Sequence, residues 1–163
     1  MPEEVAYVFL IIGALLLLYL FIKFSKWKKR FKAKRHIRTL TRHALEMTPD
    51  QFLAIRQEQL KQCRKDPNLS IKQLAGIYIL YNKTKNLYYV GQGKQLFSRV
   101  NSHFTGKGNG DVYADYKYGD VFTIKMIPLE GSGAKTLNEL ERKTIQHYNA
   151  FARGYNKTRG NKG

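Results

Sequence analysis

Two runs rich in β-branched and aromatic residues, GIYILY at 76–81 and LYYVG at 87–91, are separated only by NKTKN. Strand-forming runs joined by so short a polar stretch fold back on each other as an antiparallel hairpin. Side chains alternate faces along a strand. With Tyr78 placed opposite Tyr89, both hydroxyls share one face and a loop from Asn82 to Lys85 remains, a common hairpin length. A slip of one residue would send the two rings to opposite faces. Each tyrosine could equally be an aromatic sheet residue with its hydroxyl at the edge. Gly76 and Gly91 keep the backbone slim where a strand must approach a helix or a ligand.

The segments around the hairpin mix helix and strand. KQLFSRVNSHF has helical periodicity, VFTIKMIPL predicts a third strand, and AKTLNELERKTIQHYNA predicts a second helix. The expected fold is therefore a small α/β domain built on a three-stranded antiparallel sheet with flanking helices, over residues 75–163. The glycine-rich GKGNGD and GSGAKT read as flexible turns. The latter has Ala134 where a phosphate-cradling loop needs glycine before its lysine. Upstream, TPDQFLAIRQEQLKQCRKD predicts a helical spacer within 46–74. Thr48 is its N-cap, Pro49 suits the first helical position, Gln51 has capping-box spacing, and Pro67 and Asn68 end it. Cys63 is the single cysteine, so the chain has no internal disulfide.

Helical periodicity then singles out charged side chains in unusual places. At 100° per residue, Leu137, Leu140, Thr144, Tyr148 and Ile145 form one largely apolar stripe. Glu141 falls inside it, and Glu139 falls opposite. A carboxylate on a core-facing stripe is costly unless a cation meets it, so either a metal ion or a buried arginine would explain Glu141. On the preceding helix, Leu96, Phe97, Val100 and Phe104 form the apolar stripe, with Arg99 and His103 at its border one turn apart. That pair could be ordinary surface, although a guanidinium suits phosphate because its planar fork donates two hydrogen bonds. His36 and His43 lie in a basic run without metal-ligand spacing, and His147 borders the last stripe.

Taken together, these motifs make the chain resemble the GIY-YIG nuclease family. Gly76-Ile77-Tyr78 matches the first motif. Tyr89-Val90-Gly91 matches the second, with valine in place of isoleucine. Arg99 and His103 resemble the arginine and nearby polar position of the following helix. Glu141 resembles the metal-binding glutamate, and Gly154-Tyr155-Asn156 resembles the closing asparagine motif. The likeness runs roughly from Ala75 to Lys157. It implies hydrolysis of DNA phosphodiester bonds with one Mg²⁺ or Mn²⁺ per site held by Glu141. It also implies Tyr78 as general base, directly or through a water, and Arg99 as stabiliser of the pentacovalent transition state. Tyr89 and His103 would orient water or phosphate, with Gly76, Gly91 and Asn156 structural or phosphate-contacting. The alternative is a catalytically inactive, membrane-anchored protein that only binds nucleic acid.

The N-terminal region carries a different expectation. Val5 to Ile22 contains no charged residue, and as a helix this run would span about 27 Å, close to the bilayer's hydrocarbon thickness. Tyr7, Tyr19 and Trp27 flank it. Ten lysines and arginines follow between Lys23 and Arg42, with no acid before Glu46. The reading is a single-pass anchor at 1–22 in the cell membrane, N-terminus out. A basic juxtamembrane segment at 23–45 follows, in which 23–42 touch anionic lipid. The domain would then face the cytoplasm and cut DNA arriving at the membrane. Twenty-nine basic residues against twelve acidic ones, a net charge of +17, fit a polyanionic partner.

Overall fold

A computed structural model describes residues 3–65 and 74–161, with side chains described from residue 12 onward. The chain divides into two compact units, 1–36 and 37–163. Helix α1 (Glu3–His43) supplies the first unit and the opening residues of the second. In the first unit, the apolar side chains from Leu15 to Phe21 are exposed.

Among the described residues, no helix is long and apolar enough to cross a membrane. This overturns the expected single-pass anchor through 5–22 and its N-terminus-out orientation, and the expected contact of 23–42 with anionic lipid is left without support. The uncharged run ends at Ile22, so as a helix it reaches about 27 Å against roughly 30 Å of hydrocarbon. The same helix then runs unbroken into the basic stretch that starts at Lys23. Residues 5–11 of the expected span lie outside the described side chains.

The second unit is a four-stranded antiparallel sheet in the order β1-β4-β2-β3, made of β1 (Glu46–Met47), β2 (Gly76–Asn82), β3 (Leu87–Gly93) and β4 (Phe122–Pro128). The expected three strands thus become four. The addition is a two-residue edge strand that pairs Glu46 with Lys125 and Met47 with Ile124; two residues are too few to show a strand period. Directly after it, α2 (Pro49–Lys65) opens on a capping box. Thr48 N donates to Gln51 Oε1 at 2.9 Å, and Gln51 N donates to Thr48 Oγ1 at 3.2 Å. The expected stop at Pro67 and Asn68 lies outside the described residues.

The alternation of β2 divides the core between the two faces of the sheet. Tyr78 and Leu80 point one way, into a cluster with Phe52 of α2, Leu96, Val100 and Phe104 of α3 (Leu96–Phe104), and Val112 of α4 (Gly110–Lys117). Ile77 and Ile79 point the other way, toward Leu140 and Ile145 of α5 (Leu137–Tyr148) and Ile37. Helix α4 was not foreseen. It starts within the stretch read as a flexible turn, capped by Asn109 Oδ1, which accepts from Asp111 N and Val112 N at 3.0 and 3.1 Å.

The hairpin register places Tyr78 opposite Gly91 and Leu80 opposite Tyr89, two residues from the expected pairing. A two-residue shift preserves the face, so the tyrosine rings are still neighbours, 6.1 Å between centroids. The turn sets the register. Asn86 takes the left-handed conformation at φ 56°, and Asn82 Oδ1 accepts from Lys85 N at 3.1 Å. Asparagine tolerates both roles.

Candidate active site

The first face of the sheet gathers Tyr78, Tyr89, Arg99 and His103. Tyr78 comes from the middle of β2 and has no exposed surface. Its ring lies over Gly91, where a Cβ would overlap the phenol. Glycine at 91 is thus the space that lets the ring cross β3. Tyr89, on β3, is only partly buried. Helix α3 contributes Arg99, which is exposed, and His103, one turn later and 0% exposed. His103 therefore lies behind the tyrosines, its Nε2 2.8 Å from the Tyr78 hydroxyl, away from the surface where a phosphate could reach. Gly76 sits at the sheet's end, where a Cβ would overlap the Ile127 carbonyl and crowd Leu96.

Burial decides the electrostatics, and Arg99 opposes it. Loss of solvent pushes the Tyr78 phenol far above its ordinary value. The neighbouring Tyr89 adds to the rise, and Arg99 pulls it back. Burial also raises Tyr89, while its hydrogen bond with Tyr78 and the charge of Arg99 lower it. Of the two, Tyr78 is the more buried. His103 is held down to about 4 by burial first and by Arg99 second, so its imidazole is neutral at physiological pH.

Glu141 arrives from α5, on the other face, and is 9% exposed. Gln92 lies one residue beyond Gly91 and so on the α5 side of β3. Its Nε2 donates to Glu141 Oε2 at 3.1 Å and to Asn138 Oδ1 at 2.6 Å. Burial raises the Glu141 carboxyl, opposed by the Asn161 amide, by Gln92 and by the charge of Arg99. Among the described residues Glu141 has no ion pair, so a buried arginine does not account for it. No group of three His, Cys, Asp or Glu side chains able to hold a metal is present among the described residues. A desolvated carboxylate without a cationic partner fits a hard divalent cation that keeps most of its water and takes one or two protein carboxylates. It does not fit a metal that needs a complete protein cage.

Asn156 lies at the outer edge of β3. Its Oδ1 accepts from Val90 N at 2.8 Å and its Nδ2 donates to Val90 O at 2.7 Å, closing the strand's free edge. Tyr155 N donates to Tyr88 O at 2.9 Å. The Tyr155 hydroxyl donates to Asp115 Oδ2 at 2.6 Å and accepts from Asn82 at 2.7 Å. The closing motif is thereby tied to both α4 and the hairpin. Gln92 and Asn109 were missed by sequence reasoning. Strand parity after Gly91 would have placed Gln92 beside α5, and an asparagine before GDVYADYK carries an N-cap signal.

A phenol pair, a guanidinium and a lone buried carboxylate lie around a small antiparallel sheet, and groups of these kinds suit phosphate chemistry. The family model for the GIY-YIG catalytic domain matches residues 74–156, and the chain belongs to that family. The domain indicates an endonuclease, a hydrolase acting on DNA. No curated protein and no solved structure gives a significant match.

Proposed function

We propose that this protein is a divalent-metal-dependent endonuclease that hydrolyses DNA phosphodiester bonds at the Tyr78–Tyr89–Arg99–Glu141 site. One observation carries the reading: the Tyr78 ring fills the space over Gly91, and the next residue along β3, Gln92, donates to Glu141 Oε2 at 3.1 Å, so β3 links the phenol pair to the carboxylate.

The chemistry divides among these residues. Tyr89, acting as its phenolate, takes a proton from the attacking water and becomes a neutral phenol as that oxygen bonds to phosphorus. Tyr89 is the solvent-facing member, and Tyr78 supports it from behind. A phenol's ordinary value is about 10, so nearby positive charge is needed for this role near neutral pH. Arg99 donates to the non-bridging oxygens as the transition state gains charge. The sugar oxygen departs with the electron pair of the broken P–O bond and is protonated by solvent. Glu141 would hold Mg²⁺ or Mn²⁺, with Gln92 orienting its Oε2. Such an ion supplies charge neutralisation at the phosphoryl group and lowers the cost of the departing oxygen. Asn156, Gly76 and Gly91 act through the shape of the sheet.

The test is plasmid cleavage by the full chain with Mg²⁺ or Mn²⁺, with and without EDTA, on single- and double-stranded DNA. Nicking or linearisation that stops with EDTA is expected. Glu141→Ala and Arg99→Ala should lose cutting while DNA still binds. Binding without cutting under every metal and DNA form would instead assign a nucleic-acid-binding protein on an inactive nuclease fold.

A further inference from the structure

The glycine-rich loop between α3 and α4 contacts the site from behind. Asn109 N donates to His103 Nδ1 at 2.9 Å. At Gly108 a Cβ would stand 2.6 Å from that same nitrogen, so the loop can approach the imidazole only because residue 108 is glycine. Both ends of the loop are pinned. Lys107 N donates to Ser102 O at 2.9 Å, Asn109 Oδ1 caps α4, and Asn109 Nδ2 donates to Tyr155 O at 3.4 Å.

A backbone N–H can only donate, so Nδ1 must offer its lone pair. A neutral imidazole then carries its proton on Nε2. We propose that the 105–109 loop locks His103 in the Nε2–H tautomer, making it a fixed hydrogen-bond donor to the Tyr78 oxygen and therefore a positioning residue for the phenol pair, not the acceptor of its proton. This rests on the nuclease reading above only for its catalytic consequence.

The sign of that hydrogen bond orders the rest of the chain. Tyr78 Oη accepts from His103 at 2.8 Å, so the Tyr78 O–H proton points away from the imidazole. The donors run in one direction, from the Asn109 amide through His103 to Tyr78. Negative charge on the pair in its ionised form is met from behind by an N–H. The groups facing His103 are Tyr78 from β2, Tyr89 from β3, Arg99 from its own helix and the Asn109 amide from the loop. None of them is an anion that would favour an imidazolium, which agrees with its neutrality down to about pH 4.

The tautomer is read directly by two-bond ¹H–¹⁵N correlation NMR on the full chain with ¹⁵N-histidine, without metal or DNA. The His103 signals are assigned by their loss in His103→Gln. The expected result is an Nε2–H tautomer that stays neutral at pH 6. Asn109→Ala should leave it unchanged, because the backbone amide remains. Gly108→Ala should displace the loop and give a tautomer mixture. An Nδ1–H form in the wild type, or protonation near pH 6.5, overturns the lock. On the active enzyme, His103→Ala should move the phenol limb of the cleavage pH profile upward by about one unit or more. His103→Gln, which retains an N–H donor, should restore most of the shift. An unmoved limb overturns the donor role. A wild type that cuts under no condition sinks the nuclease reading, while the NMR result still decides the tautomer.

Discussion

The Tyr78 ring crosses β3 at Gly91, in the space a side chain would occupy. The phenol cannot retreat, because its hydroxyl is held by His103 Nε2 at 2.8 Å and its ring has no exposed surface. Gly91→Ala should therefore displace the tyrosine instead of being absorbed. Overpacking of a rigid core costs about 1–3 kcal/mol, so a melting temperature lower by several degrees is expected, with cleavage lost. Gly110→Ala is the control, since a Cβ there meets nothing within 4 Å. A Gly91→Ala protein with wild-type melting and cleavage would show that the ring is free to move.

Glu141 is expected to trade stability for function. Burial raises its carboxyl above the ordinary range. A raised folded-state value means the unfolded chain ionises more readily, so at neutral pH this carboxylate opposes folding, and the penalty fades as pH falls through its titration range. Glu141→Gln removes the charge and retains an oxygen that can accept from Gln92. The metal-free variant should melt above the wild type at pH 7, with the difference shrinking toward pH 4, while cleavage falls about 10²–10³-fold. Calorimetry at the two pH values checks the first part, and plasmid nicking checks the second.

The hairpin, both glycines, the two tyrosines and the off-pattern Glu141 were legible because each obeys a local rule: period two in a strand, period 3.6 in a helix, or a charge where an apolar residue belongs. The exact register was not, because NKTKN does not reveal which asparagine will take the left-handed conformation. Strand β1 was invisible for want of length, and α4 was hidden because its capping asparagine sits among glycines. The orientation of His103 was beyond reach for a different reason. Its partner on Nδ1 is a main-chain amide six residues on, and no side-chain pattern encodes that contact. The apolar run at 5–22 misled because eighteen uncharged residues satisfy a length rule by themselves.

Asn156 offers a separable test of structure against chemistry. Its side chain satisfies both the N–H and the C=O of Val90, a residue with no exposed surface. Asn156→Ala leaves two buried backbone groups unpaired, at about 1–3 kcal/mol each. Asn156→Asp keeps an acceptor for the N–H but sets a carboxylate against the carbonyl, so it should be no better. Both variants should unfold at lower urea concentration. At a temperature where the variant remains folded, cleavage should fall far less than in Arg99→Ala. Equal losses would instead place Asn156 in contact with the reacting phosphate.

The neutrality of His103 has a consequence for acid stability whose sign follows from its buried position. Its folded-state value is about 4, below the ordinary 6.5. The unfolded chain therefore binds this proton first as pH falls. Above pH 6.5 the histidine contributes no penalty; between 6.5 and 4 it progressively favours unfolding; below 4 the loss is complete. The full difference corresponds to about 3 kcal/mol. Carboxylates titrate over part of the same window, so the comparison is with His103→Gln, which has no proton to gain. Urea unfolding at pH 7.5 and pH 4.5 should show the wild type losing more stability than the variant over that interval. A wild type and variant that fall in parallel would mean that His103 already carries charge in the folded protein, with no lone pair left to receive the Asn109 amide.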